Sequence, residues 1–370
     1  MNHFQTIPLQ GTNRSPARIA FLDAVRGIAV VFVVLEHLFG FRAPRFAHVS
    51  SAYFQFGQFG VMLFFLCSGF VIPLTLERKP SLAYFWVNRL FRLYPLYLAV
   101  LAYTLVLYAL GGVTLPDAFR TRPVTTILAN MTMAQEFLGV PHAFGVAWTL
   151  GYELLFYVSI SILLAFNWHR ATQTIVVTLM SLAVLNPFVF RVLLHRDPHV
   201  GFIYYSATMF VGTLFYRAYQ GSIEPRRLAG FFAFAILVNI LANYFAYEPH
   251  AVRWDYAFWP TTTAWVAAYA VFALGYRLRA STVPAALTWL GAISYSVYLL
   301  HGPVLGAFPK HSLNPAVLAL YAVSVLGVSL LSFRFIEKPM MNLGHRLARR
   351  ISPRRAVTQV EALTLSVASS

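Results

Sequence analysis

Ten apolar runs, at 19–41, 57–76, 93–112, 144–166, 171–190, 201–219, 229–247, 257–276, 287–306 and 313–335, constrain this chain more than any other feature. Each is long enough to cross about 30 Å of hydrocarbon as a helix. In lipid the backbone polar groups must be satisfied within the segment, so runs of this length read as helices rather than open strands. Hydrophobic residues make up 59% of the chain and charged residues 11%, which leaves no room for a soluble domain between the runs. The expected fold is all-α, a polytopic transmembrane helical bundle of about ten spanning helices. Residues 1–18 read as a cytoplasmic N-terminal segment without a signal-peptide core, 19–339 as the membrane domain, and 340–370 as a basic, then disordered, cytoplasmic tail.

Charge placement decides the topology. The formal charge of +16 sits mainly between the runs and after Phe335, as cytoplasmic loops of a membrane protein require, so nucleic acid is not an expected partner. The short segment 124–139 contains Asn130, Gln135 and Glu136. If it crossed the bilayer, Arg217, Arg226, Arg227, Arg277, Arg279 and the basic tail would fall outside; if it does not, all fall inside. The expectation is therefore ten crossings with both termini cytoplasmic, and 124–139 on the outer face or re-entering from it. The weak point of this topology is the outer loop containing Arg42 and Arg45, which carries two arginines on the wrong side.

Within the first run, Asp23, Arg26, Glu36 and His37 are ionisable groups at membrane depth, where such residues are costly and mark function. Arg26 and His37 are eleven residues apart, which returns them to one helical face about 16 Å apart along the axis. The spacing predicts a cation near one membrane surface and an imidazole near the midplane. His37 reads either as a packing histidine or as a general base, since a neutral imidazole can take a proton from a hydroxyl in acyl transfer. Glu36 lies about 100° around the helix and is expected to pair with another helix.

Arg89 and Arg92 share a helical face at i,i+3. They read as positive-inside anchors, or with Arg26 as an anion clamp, because guanidinium forks suit phosphate oxygens. In GQFGVMLFFLCSGFVI, Gly57 and Gly60 predict close helix approach, Ser68-Gly69 a loosened helix beside a cavity, and Cys67, the single cysteine, a packing residue. Glu153 either pairs with an arginine, orients His37, or binds substrate hydroxyls. Tyr295, Tyr298 and His301 form a polar stripe suited to a substrate path. Glu337-Lys338-Pro339 reads as a helix stop without chemistry. No Gly-rich phosphate loop or metal-ligand spacing occurs, Ser68 lacks a nucleophile-elbow context, and neither a metal nor a bound cofactor is expected.

Five blocks in order then support a resemblance: the Arg26/His37 helix, GVMLFFLCSGFVI, RLFRLYPLYL, AWTLGYELLFY and LGAISYSVYLLHGPV. From about Ala20 to Pro339 the chain resembles the membrane acyltransferase family 3, integral-membrane O-acyltransferases of glycans and small molecules. The resemblance implies ten transmembrane helices in the inner membrane, acyl-CoA, usually acetyl-CoA, as a cytoplasmic co-substrate, and an extracytoplasmic glycan or small-molecule acceptor. It implies His37 as the catalytic histidine, Arg26 as its paired arginine, Arg89 and Arg92 as the acyl-CoA-binding pair, and Glu153 as a catalytic carboxylate. His301 matches a histidine of the last block. The acceptor is then acylated directly or through a separate envelope-assembly partner. Two readings from other classes stand beside this one: a proton-coupled transporter or flippase using an intramembrane His/Glu pair, and a structural subunit of an envelope-assembly complex.

Overall fold

Each apolar run falls on helix. The computed structural model describes residues 19–196, 198, 201–247, 257–309 and 312–351, so the expected N-terminal segment 1–18 and the disordered tail after Arg355 lie outside the described residues. The chain runs through α1 (Ala20–Phe39), α2 (Pro44–Ala52), α3 (Phe56–Arg78), α4 (Leu82–Ala109), α5 (Ala118–Thr121), α6 (Pro123–Met131) and α7 (Ala147–Ala165). It continues through α8 (Thr172–Pro187), α9 (Gly201–Tyr219), α10 (Pro225–Ala246), α11 (Phe258–Arg277), α12 (Ala285–Ala292), α13 (Ser294–Gly306), α14 (Pro315–Ser332) and α15 (Lys338–Ile351). Among the described residues there is no strand. Prolines open α2, α6, α10 and α14, where the missing N–H is not needed.

Among the described residues, six helical segments are long and apolar enough to cross a membrane: α3, α4, α7, α8 with its π-helical extension to Leu193, α10, and the run from Pro315 to Ile351. The other four runs are interrupted or less uniformly apolar. α1 carries Asp23, Arg26 and Glu36, the ninth run breaks at Ile293 into α12 and α13, and α9 and α11 are rich in hydroxyl-bearing side chains.

Small residues set the centre of the bundle. A Cβ at Gly60 would run into the Ala29 carbonyl of α1, one at Gly69 into the Met209 carbonyl of α9, and one at Gly291 into the Asp23 carbonyl. Helix α1 is thereby clasped between α3 and α12, and α3 between α1 and α9, at backbone contact. Gly60 does what its spacing suggested. Ser68-Gly69 does not loosen α3, which is continuous; Gly69 exists to admit α9. Gly57 instead makes room for the Glu36 side chain, whose Cγ would stand 3.1 Å from a Cβ there.

Residue pairs give the direction of each helix. α1 and α3 are antiparallel, joining Leu22 to Cys67 at one end and Glu36 to Gly57 at the other. α1 and the α12–α13 pair are parallel, with Asp23 against Gly291 and His37 against His301. α4 and α7 meet through Phe85 and Tyr157 at one end and Tyr97 and Phe144 at the other, so the chain leaves α4 and enters α7 at the same end. The intervening segment therefore stays at that end, and its α6 has nine residues, about 14 Å of helix and too short to cross. Asn130 staples it. Its amide donates to the Thr126 and Pro141 carbonyls at 2.9 and 3.0 Å and accepts from the Ala143 N–H at 2.9 Å.

Three charged groups depart from their expected places. Arg42 is buried and donates to the Leu38 and Pro309 carbonyls, both at 3.2 Å, so it caps a carbonyl in the last turn of α1 and ties it to the segment that follows α13. Arg217 forms a buried ion pair with Glu77, 2.6 Å from Arg217 Nη2 to Oε1, tying α9 to α3. Glu337-Lys338-Pro339 does not stop the last helix. A π-helical stretch, Phe333–Glu337, leads directly into α15. Pro339 falls in the first turn of the new helix, where the wider π turn spares the N–H it lacks. Glu337 is buried and accepts from Ser296 Oγ at 2.8 Å.

Candidate active site

Five helices contribute side chains to one internal cavity of about 60 Å³: Arg26 from α1, Ser68 from α3, Arg92 from α4, Thr149 and Glu153 from α7, and Tyr295 and Tyr298 from α13. Phe64, Phe65 and Leu93 supply its apolar wall. Two guanidinium groups and one carboxylate thus share a largely apolar lining, where charge interactions are stronger than in bulk water. The tyrosines are fixed. Tyr295 donates to the Leu93 carbonyl at 2.7 Å, and the Tyr298 hydroxyl bonds Thr149 Oγ1 at 2.8 Å.

Arg89 and Arg92 separate, although they are three residues apart on one helix. Arg92 reaches the cavity. Arg89 is buried behind it, donating to Thr75 Oγ1 at 2.8 Å, with its guanidinium 5.5 Å from the ring centroids of both Phe85 and Tyr157. The Tyr157 hydroxyl in turn donates to the Glu153 carboxylate. Arg89 therefore reaches the cavity only through Tyr157 and Glu153. The polar stripe Thr149, Glu153, Tyr157, spaced four residues apart on α7, is visible in AWTLGYELLFY; Thr149 and Tyr157 were overlooked because each alone looks like ordinary helix filling.

Above this cavity stand two imidazoles. His37 and His301 face each other with ring centroids 4.9 Å apart and planes at 63°. The Nδ1 of His37 lies 2.9 Å from the Val33 carbonyl, and the Nδ1 of His301 lies 2.8 Å from the Tyr298 carbonyl and 3.2 Å from that of Val297. A carbonyl can only accept, so each Nδ1 carries the hydrogen, and the lone pair of the neutral form is on Nε2. The Nε2 of His301 is buried without a hydrogen-bond partner among the described residues. Tyr298 joins the two levels: its hydroxyl end lines the cavity and its ring lies 6.2 Å from that of His301.

His37 is in the last turn of α1, roughly 25 Å from the start of a helix roughly 30 Å long. The group that holds the His37 ring is the Val33 carbonyl of its own helix, while Glu153 is engaged by Tyr157. Glu36, as expected, turns away to another helix. It accepts from Ser50 Oγ at 2.8 and 2.7 Å and from the Gly57 N–H at 3.3 Å. Its carboxylate thus sits at the N-terminus of α3, where backbone N–H groups favour negative charge.

A second histidine–carboxylate pair, outside the predicted set, lies at the end of the bundle where the chain passes from α4 to α7. His142 Nε2 bonds Glu136 Oε2 at 2.8 Å, and His142 Nδ1 is 3.2 Å from the Gln135 amide nitrogen. Both ring nitrogens are engaged, so this imidazole is a brace for the loop. Among the described residues, no three histidine, cysteine or acidic side chains converge as a metal site.

Residues 19–334 match the model of a protein family described as an acyltransferase domain. The chain is 23% identical over 374 residues to peptidoglycan O-acetyltransferase OatA of Listeria monocytogenes, an alignment covering 90% of this chain and 57% of that protein. It is 21% identical over 365 residues to O-acetyltransferase OatA of Staphylococcus aureus, covering 90% and 58%. A shorter match, 32% identical over 134 residues, covers 32% of this chain and 36% of nodulation protein 10 of Rhizobium leguminosarum bv. viciae. The chain spans a little over half the length of the two O-acetyltransferases. No solved structure matches.

Proposed function

This chain belongs to the acyltransferase domain family, and on that premise we propose that it is a multi-pass inner-membrane O-acyltransferase. It moves an acyl group, acetyl in the first instance, from cytoplasmic acyl-CoA to a hydroxyl of an extracytoplasmic glycan or related small molecule. The relatives named as O-acetyltransferases, one of them of peptidoglycan, favour a cell-envelope glycan. The single observation that carries the reading is the stacked arrangement of an arginine-lined cavity and, above it, two imidazoles with Nε2 lone pairs.

In this reading the chain crosses ten times with both termini cytoplasmic. Support comes from the parallel run of α1 and α12–α13, which an extra crossing at 124–139 would reverse. Arg78, Lys79, Arg170, Arg226, Arg227, Arg277 and Arg279 also gather at helix ends away from His37, as a cytoplasmic face requires. The donor enters from that face. Arg92 and Arg26 hold the carbonyl oxygens of its acyl-pantetheine arm, Arg89 steadies Tyr157 and through it Glu153, and the thioester reaches past Ser68, Tyr295 and Tyr298 toward His37.

His37 is the catalytic residue. Its Nε2 takes the proton of the acceptor hydroxyl as the oxygen attacks the thioester carbonyl; the C–S bond then breaks and the proton passes to the departing thiolate. The same lone pair could instead attack first and carry the acyl group as an acyl-imidazole before the acceptor takes it. Labelled acetyl-CoA supplied to inside-out vesicles tests the whole scheme: free CoA with label on the glycan is expected. Proton-coupled uptake without thioester cleavage would replace the enzyme with a transporter.

A further inference from the structure

The α15 helix has no role in this scheme, and its position invites one. It carries Lys338, His345, Arg346, Arg349 and Arg350 and no acidic residue. Its buried side is made of small residues. Ala348 is fully covered, and a Cβ at Gly344 would stand 2.6 Å from Phe91 Cβ. Phe91 lies between Arg89 and Arg92 in α4, so α15 runs alongside the part of α4 that bears the arginine pair. His345 stands within electrostatic reach of Arg89, Arg92 and Arg349.

Length adds a second argument. α4 has 28 residues, about 42 Å of helix and more than the 30 Å that hydrocarbon requires. Its first eleven residues precede the apolar run that begins at 93, and Phe91, against which Gly344 packs, is among them. A helix as basic as α15 cannot lie in hydrocarbon, so it and this overhang form the rim of the cytoplasmic mouth. His345, Arg346, Arg349 and Arg350 are exposed on that rim.

The cavity is narrow, and its wall is mostly apolar, with Val61, Phe64, Phe65 and Leu93 beside the polar groups, which does not suit a multiply charged nucleotide. The thin acyl-pantetheine arm of a CoA thioester can enter between helices, whereas its multiply charged adenosine phosphates must stay at the rim. We propose that the exposed basic face of α15, centred on His345, Arg346 and Arg349, holds the nucleotide phosphates of the acyl donor. The inference rests on the acyl-CoA reading above and adds to it where the donor's charged end binds. Guanidinium groups one helical turn apart, as Arg346 and Arg349 are, present two forks to neighbouring phosphate oxygens.

The test compares two donors in inside-out vesicles: acetyl-CoA, and acetyl-pantetheine, which has the same thioester without nucleotide phosphates. In R346Q/R349Q the apparent KM for acetyl-CoA should rise roughly tenfold or more, the loss expected for a charge-assisted phosphate contact. Turnover of acetyl-pantetheine should stay at the wild-type level, which also certifies that the variant is folded. Equal losses on both donors, or no loss on either, would overturn the proposal. Vesicles of phosphatidylcholine with and without phosphatidylglycerol separate donor phosphate from lipid headgroup: a variant defect that disappears without the anionic lipid would assign α15 to the membrane instead. If wild-type protein cleaved neither thioester, the donor reading itself would fall, and this inference with it.

Discussion

His37 and His301, from the first and ninth apolar runs, bring their imidazoles edge to face at 4.9 Å, each with Nδ1 tied to a carbonyl of its own helix. The tie fixes the tautomer, and the ring contact fixes the orientation. The main chain, and no carboxylate, thus holds the Nδ1 side of each ring.

The first expectation concerns this pair. His37→Gln keeps the size and loses the base, and should reduce acyl transfer by about 10²–10⁴-fold at unchanged membrane abundance, the range for a general base. His301→Gln should reduce it less, since it orients rather than receives the proton. Radiolabel transferred to acceptor, normalised to protein, measures both. Retained activity in His37→Gln would end the assignment.

The two arginines of α4 should part company. Arg92→Gln, on the cavity wall, is expected to raise the apparent KM for acetyl-CoA with little change in melting temperature. Arg89→Gln removes a charged hydrogen bond to Thr75 and two ring contacts, costing about 1.5–3 kcal/mol and lowering thermal stability in detergent. Kinetics and melting of the two variants side by side would show whether they separate.

Glu36 should behave as a structural residue despite its place beside the base. Ser50→Ala removes both side-chain bonds to its carboxylate, a loss of about 1–3 kcal/mol. Thermal midpoint should fall while kcat per folded molecule holds. A kcat that collapsed at intact stability would return Glu36 to the active site.

Gly69→Leu tests the core. With the Met209 carbonyl where its Cβ must go, α3 and α9 would be forced apart, and the expected result is loss of monodisperse protein on detergent extraction. Normal extraction of this variant would mean that the two helices approach less closely than described.

Local pattern made much of this legible. Runs of apolar residues need no partner to announce a helix, so the elements fall where hydropathy places them, and 124–139 declares itself by its polar residues. The same reasoning marked Arg26, Ser68, Tyr295 and Tyr298, which meet at one cavity. It took Glu337 for a helix stop, since Pro339 usually breaks a helix and a π turn that accommodates it leaves no mark in composition.

The sequence by itself determined that this chain is a bundle of membrane-length helices with ionisable residues on their inner faces. Tertiary packing alone decided which of those residues meet. His301 faces His37, Arg92 enters the cavity while Arg89 packs behind Tyr157, and α15 lies along α4 at Gly344. The physical reason is range. Helix formation depends on neighbours within a few residues, whereas helix partners in a bilayer are chosen by small-residue contacts and buried hydrogen bonds between segments far apart in the chain.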